Sequence, residues 1–149
     1  MSTLLETHGL SKRYDRLPVL DGLNLSIPSG RIVGVVGPNG CGKTTLFKIL
    51  AGLIGDYEGE VAIDGRRPGV YTKSITAYLP EKTYLEDGIK AGEAIRMFAD
   101  FYADFDAAKA RELLGRFRLE ERMKLKSMSK GMQEKLQLIL VMSRAAKLY

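Results

Sequence analysis

Residues 37–45 read Gly37-Pro38-Asn39-Gly40-Cys41-Gly42-Lys43-Thr44-Thr45. They fit the pattern G-x-x-x-x-G-K-[ST], and the flanking residues give that pattern a physical meaning. Upstream, Arg31-Ile32-Val33-Gly34-Val35-Val36 is a short β-branched run that predicts a buried parallel strand. Downstream, the stretch from Lys43 to Ala51 predicts a helix. Glycines between the two let successive backbone N–H groups converge on a phosphate. Because the helix starts at Lys43, its positive dipole end faces that anion. Lys43 adds a point charge for β- and γ-phosphates, and the Thr44 hydroxyl suits Mg²⁺.

The rest of the composition bounds the setting. A chain of 149 residues is long enough for one ordinary domain with its own core. At 45% hydrophobic and 28% charged it is globular rather than disordered. No apolar run approaches the ~20 residues of a membrane-spanning helix. The segment Met1–Glu6 has no basic stretch followed by an apolar one, so no secretory signal is expected. The single cysteine excludes an intrachain disulfide and suits a reducing compartment. A net charge of +5 would suit an anionic ligand or membrane surface. No Lys/Arg run is dense enough to imply nucleic acid, and a solvated surface explains most of the charge.

Leu4–Leu10, Leu23–Ile27 and Gly59–Ile63 predict half-buried strands, the last stopping at the turn pair Asp64-Gly65. Ser74–Leu79 predicts one more strand, ending at Pro80. Together these predict a small antiparallel layer beside a parallel core. After Pro80 the spacing becomes helical. It predicts helices over 90–103 and 106–117, the second capped by Asp106. A final helix is expected from about Lys130 to Leu148, buried almost all round. His8 reads as an ordinary strand residue, and Met123, Met128, Met132 and Met142 read as packing.

Three further stretches accompany the loop. Ser11-Lys12-Arg13-Tyr14 lies upstream, Tyr78-Leu79-Pro80-Glu81 downstream, and Met128-Ser129-Lys130-Gly131-Met132-Gln133 further on. In this order and spacing the set resembles the nucleotide-binding domain of the ATP-binding cassette (ABC) family, from Leu4 to Tyr149. The segment at 128–133 is its most family-specific part. The combination is also similar to an exporter-type branch, whose ATPases pair with separate ABC-2-like membrane subunits.

The resemblance implies an α/β fold: a P-loop NTPase fragment with an antiparallel β subdomain, an α-helical subdomain and an incomplete parallel core. Residues 1–81 would form the β subdomain and the phosphate-loop part of the core. Residues 82–149 would form the helical subdomain and signature helix. The cofactors implied are ATP and Mg²⁺. Tyr14 would stack on adenine, and Gly37, Pro38, Asn39, Gly40, Cys41, Gly42, Lys43, Thr44 and Thr45 would surround the phosphates. Thr44 and Glu81 would hold the metal, and Lys43, Glu81, Ser129 and Gly131 would serve catalysis. Three positions depart from the family pattern. Glu81 stands for a glutamine, Lys130 for a glycine and Met132 for a glutamine. Blander roles exist for the same residues: a surface turn tyrosine, a solvated glutamate after proline, and an ordinary serine cap. The partners implied are a transporter membrane subunit and a second nucleotide-binding domain in a head-to-tail dimer, without nucleic acid. The place implied is the cytoplasm, peripheral on the inner face of the cell membrane.

In the family, an apolar strand ending in Asp-Glu would follow, supporting Mg²⁺ and polarising the attacking water, and later a switch histidine. No strand of this chain ends in such a pair. The chain therefore reads as a truncated member, inactive alone, with Val33, Val35, Leu79 and the last helix left uncovered. The complete protein would be an ATPase driving transport. A soluble ABC ATPase of repair or translation stays open beside it, as does a non-catalytic nucleotide-binding fragment. The 86 positions from Lys43 to Ser129 leave no room for the long coiled coil of chromosome-type members. Cys41 alone cannot supply the cysteine clusters of zinc-bearing repair members.

Overall fold

The computed structural model describes residues 2–149. Two compact units emerge: the residues up to Thr76 together with Leu148, and Ala77–Lys147 together with Tyr149.

In the first unit β1 (Thr3–Tyr14) lies between β2 (Leu17–Pro28) and β3 (Glu58–Ile63) in an antiparallel sheet of order β2-β1-β3. The alternation seen in the sequence explains one edge. Leu23, Leu25 and Ile27 of β2 are half-buried, whereas Asn24 and Ser26 face water. β3 stops where expected. Asp64 and Gly65 take φ of 52° and 71°, and Ile63 and Arg66 exchange backbone hydrogen bonds of 2.8 and 3.1 Å. Two positive φ values in a two-residue turn match the right-handed twist of the strands. Helix α1 (Lys43–Leu50) lays Leu46, Ile49 and Leu50 into a core with Leu5, Leu10, Val61 and Ile63. Full burial of such a side chain contributes roughly 1.5–3 kcal/mol. Helix α2 (Val70–Ile75) follows β3.

Residues 31–36 do not form the predicted buried strand. The segment is irregular, with Ile32 and Val36 almost wholly exposed and Val33 and Val35 at 51% and 39%. A parallel strand holds only while neighbours satisfy its backbone groups. Among the described residues none pairs with this segment. The predicted strand Ser74–Leu79 fails for the same reason. Its first two residues belong to α2, and Thr76 makes one parallel bridge to Leu148, whose N–H donates to Ile75 O at 3.1 Å. Residues 77–80 are irregular, with Leu79 exposed. The sheet among the described residues is thus antiparallel throughout, and the uncovered Val33, Val35 and Leu79 match the sequence expectation.

The second unit packs α3 (Ala91–Phe101), α4 (Ala107–Arg116) and α5 (Lys130–Met142), with a 3-10 turn at Leu125–Ser127. Ile95, Leu114, Leu125, Leu136, Ile139 and Leu140 form its centre. Asp106 caps α4 as predicted, its Oδ1 accepting the Lys109 N–H at 2.9 Å. Such a cap contributes about 1 kcal/mol.

α5 is shorter and less enclosed than the sequence suggests. It ends at Met142 rather than near Leu148, and Leu138 and Met142 are exposed. The cause lies just beyond its end. Arg144 is buried and donates to both Asp104 carboxylate oxygens at 3.0 and 3.2 Å, its guanidinium 4.0 Å from the Tyr102 ring centre. Asp106 N–H donates to Ser143 O at 2.8 Å, and Ala145 N–H to Asp104 O at 3.0 Å. A buried guanidinium must be paired, and reaching Asp104 turns the chain off the helix axis.

Candidate functional site

The loop of residues 37–41 is exposed and runs into α1 through Gly42. Gly42 has φ +93°, and a Cβ there would lie 2.5 Å from Val19 O and 3.0 Å from Leu20 Cδ2. Only glycine can make this turn while lying against β2. The first helical bond is Leu46 N–H to Gly42 O at 2.9 Å, and no side chain caps the helix start. The first-turn amides of α1 therefore point out of its N-terminus. Lys43 Nζ reaches back across the loop, donating to Gly37 O at 2.7 Å and Pro38 O at 2.8 Å, with Cys41 Sγ at 3.6 Å. Cys41 N–H closes the turn on Pro38 O at 3.3 Å. Thr44 and Thr45 follow in the first turn, half-buried. Amide N–H groups, an ammonium and hydroxyls on one exposed loop form a donor set suited to a polyanion, and the residues present thus fit a triphosphate.

Tyr14 is the last residue of β1 and pairs with Leu17 across the two-residue turn Asp15–Arg16. Its ring is half-exposed. In the same ladder Lys12 pairs with Leu20, and Leu20 lies against Gly42. The structure therefore brings the hairpin that carries Tyr14 and the exit of the loop together. A feature that the sequence reading missed sits here too. Lys12 is buried, its Nζ 2.9 Å from Asp56 Oδ2 and 5.1 Å from the centre of the Tyr14 ring. Its position two residues before Tyr14 was the available signal.

Glu81, Ser129 and Gly131 belong to the second unit. Glu81 is exposed. Burial, with the Glu81 carboxylate adding to it, holds the Tyr78 phenol above its ordinary pKa. Ser129 Oγ accepts the Met132 N–H at 3.2 Å and caps α5. Gln133 Nε2 donates to Leu125 O at 3.1 Å and Met128 O at 3.4 Å, fastening the segment before the cap. Gly131 is exposed, with open space where a side chain would stand. Lys130 Nζ lies 3.9 Å from Glu134 Oε1. Among the described residues no three His, Cys, Asp or Glu side chains gather into a metal-holding group, and no helix is long and apolar enough to cross a membrane.

Known proteins resemble this chain in sequence and fold. The family model described as ABC transporter matches residues 20–149. The ABC transporter ATP-binding protein YtrB of Bacillus subtilis (strain 168) is 30% identical over 141 residues, covering 92% of this chain and 48% of that protein. The hemin import ATP-binding protein HmuV of Bradyrhizobium diazoefficiens is 43% identical over 72 residues, 48% of this chain and 27% of that protein. A solved ATP-binding subunit of an ABC transporter superposes with a TM-score of 0.83 at 30% identity, covering 93% of this chain and 61% of that one. The chain spans about half the length of the curated relatives that it matches most fully. With one family model running through the phosphate loop, the Glu81 segment and the Ser129 cap, and the fold of an ABC ATPase P-loop domain beneath them, this chain belongs to the ABC transporter family.

Proposed function

We propose that this chain is the nucleotide-binding part of an ABC transporter ATPase subunit, with residues 37–45 holding the β- and γ-phosphates of ATP. The observation that carries this reading is the start of α1. Gly42 turns the loop against β2, and Lys43 lays its ammonium across the loop at 2.7 Å from Gly37 O. Tyr14 takes the adenine, its hairpin lying against the same turn. Thr44, in the first turn of α1, is the residue of the loop that would hold Mg²⁺. When bound, the metal neutralises charge on the triphosphate oxygens. Ser129 and Gly131 present the N-terminus of α5 to the γ-phosphate held by a second nucleotide-binding domain in a head-to-tail dimer. Closure of that pair would drive a separate membrane subunit at the inner face of the membrane.

Two experiments test the adenine and loop assignments. Tyr14→Ala will weaken ATP by roughly 1–2 kcal/mol, the scale of one aromatic stack. Tyr14→Phe will be nearly silent, because stacking uses the ring face. Equal losses in the two variants would show that stacking is not the role of the ring. Cys41 provides the second test, being exposed and inside the loop. A thiol reagent will modify it in the free protein, and Mg-ATP will slow that reaction. An unchanged rate at saturating nucleotide would place the phosphates elsewhere.

A further inference from the structure

We propose that Lys12, held by Asp56, is a positioning residue for the nucleobase: its buried ammonium fixes the Tyr14 ring and leaves one ring face for adenine. This rests on the reading that Tyr14 stacks on the base.

Lysine is seldom buried, yet the Lys12 side chain is only 9% exposed. Its ion-pair partner Asp56 is poorly placed for stability. Asp56 Oδ2 lies 2.9 Å from Nζ, but the Asp56 side chain is fully exposed to water. A desolvated ammonium paired with a hydrated carboxylate gains little over an aliphatic side chain of the same shape. Stability therefore does not explain a charge at this position. The Tyr14 ring does. Nζ lies 5.1 Å from its centre, within the ~6 Å range of a cation–π contact.

Two effects follow for a base arriving on the other face. The ring loses less freedom on binding, because the ammonium already restricts it. The cation also draws π density toward the covered face. The open face becomes less negative and repels the π cloud of a purine less. The geometry is referenced to the phosphates as well. Lys12 pairs with Leu20 across the ladder, and Leu20 packs on Gly42 at the mouth of α1. Lys12 itself is no phosphate ligand, since its ammonium is buried and committed to Asp56 and the ring.

The test compares ATP with inorganic tripolyphosphate, which has phosphates and no base, by competition binding to the full chain. Lys12→Met will weaken ATP about two- to fivefold, the scale of an exposed-to-partly-buried cation–π contact. It will leave tripolyphosphate unchanged, and Lys12→Arg will restore ATP. Adding Lys12→Met to Tyr14→Ala will cost nothing further, because the two act as one unit. Should Lys12→Met fail to fold, Asp56→Asn at the exposed carboxylate frees the ammonium without touching the core. It will shift ATP in the same direction. If Tyr14→Ala weakens ATP while Lys12→Met does not, the positioning role is wrong and stacking stands. If Lys12→Met weakens ATP and tripolyphosphate equally, Lys12 acts on the loop or the fold, and the proposal is overturned. If Tyr14→Ala leaves ATP and tripolyphosphate both unchanged, the stacking assignment falls, and this inference with it.

Discussion

Assayed as these 149 residues, the protein will release no phosphate from Mg-ATP above background. Phosphoryl transfer to water depends on fixed groups that orient the water and neutralise charge as it develops. On the proposed reading the loop would supply the positive side of that arrangement through Lys43 and the α1 amides. Among the described residues no three His, Cys, Asp or Glu side chains gather into a metal-holding group. Glu81 is an exposed carboxylate in the second unit. Loss of one preorganised group costs on the order of 10²–10³ in rate. The upstream end of the loop adds to the deficit. Among the described residues none pairs with residues 31–36, so the entry to the loop is held less firmly than its exit at Gly42. Misplacement by about 1 Å can itself cost 10²-fold. A colorimetric phosphate assay on purified protein checks this. Mg-dependent release that disappears in Lys43→Ala would contradict it and make Glu81 the first candidate to orient the water.

The sequence was legible where structure depends on near neighbours. The Asp64-Gly65 turn, the Asp106 cap and the alternation of Leu23, Leu25 and Ile27 each follow from a few adjacent residues. The pattern at residues 37–45 is contiguous, and α1 begins at Lys43 as its residues predict. The misreadings share one cause. Ile32-Val33 and Val35-Val36 carry the composition of a buried strand, but composition states what burial a segment suits, not whether its partners are present. Ser74–Leu79 failed likewise, with a single bridge to Leu148. The end of α5 is set by Arg144 and Asp104, 40 residues apart, and no local period reports such a pair. At the site, the Lys12–Asp56 pair spans 44 residues and was equally hidden. Ser129 was readable as a helix cap, and its Oγ does cap α5.

Lys43→Ala will weaken ATP binding by about 10- to 100-fold, the equivalent of one hydrogen bond to a charged group at roughly 1.5–3 kcal/mol. The Lys43 side chain lies outside the core packing of α1. Its ammonium lies among Gly37 O, Pro38 O and Cys41 Sγ on an exposed loop, while the core contacts of α1 come from Leu46, Ile49 and Leu50. Stability will therefore change little, and a thermal melt of the variant will match the parent. The decisive measurement is a calorimetric titration of Mg-ATP into the parent protein and into Lys43→Ala at one ionic strength. Saturable binding in the parent, lost or weakened by at least about tenfold in the variant, is the predicted result. Equal affinity in both, with both folded, would contradict the assignment of residues 37–45 as the phosphate site.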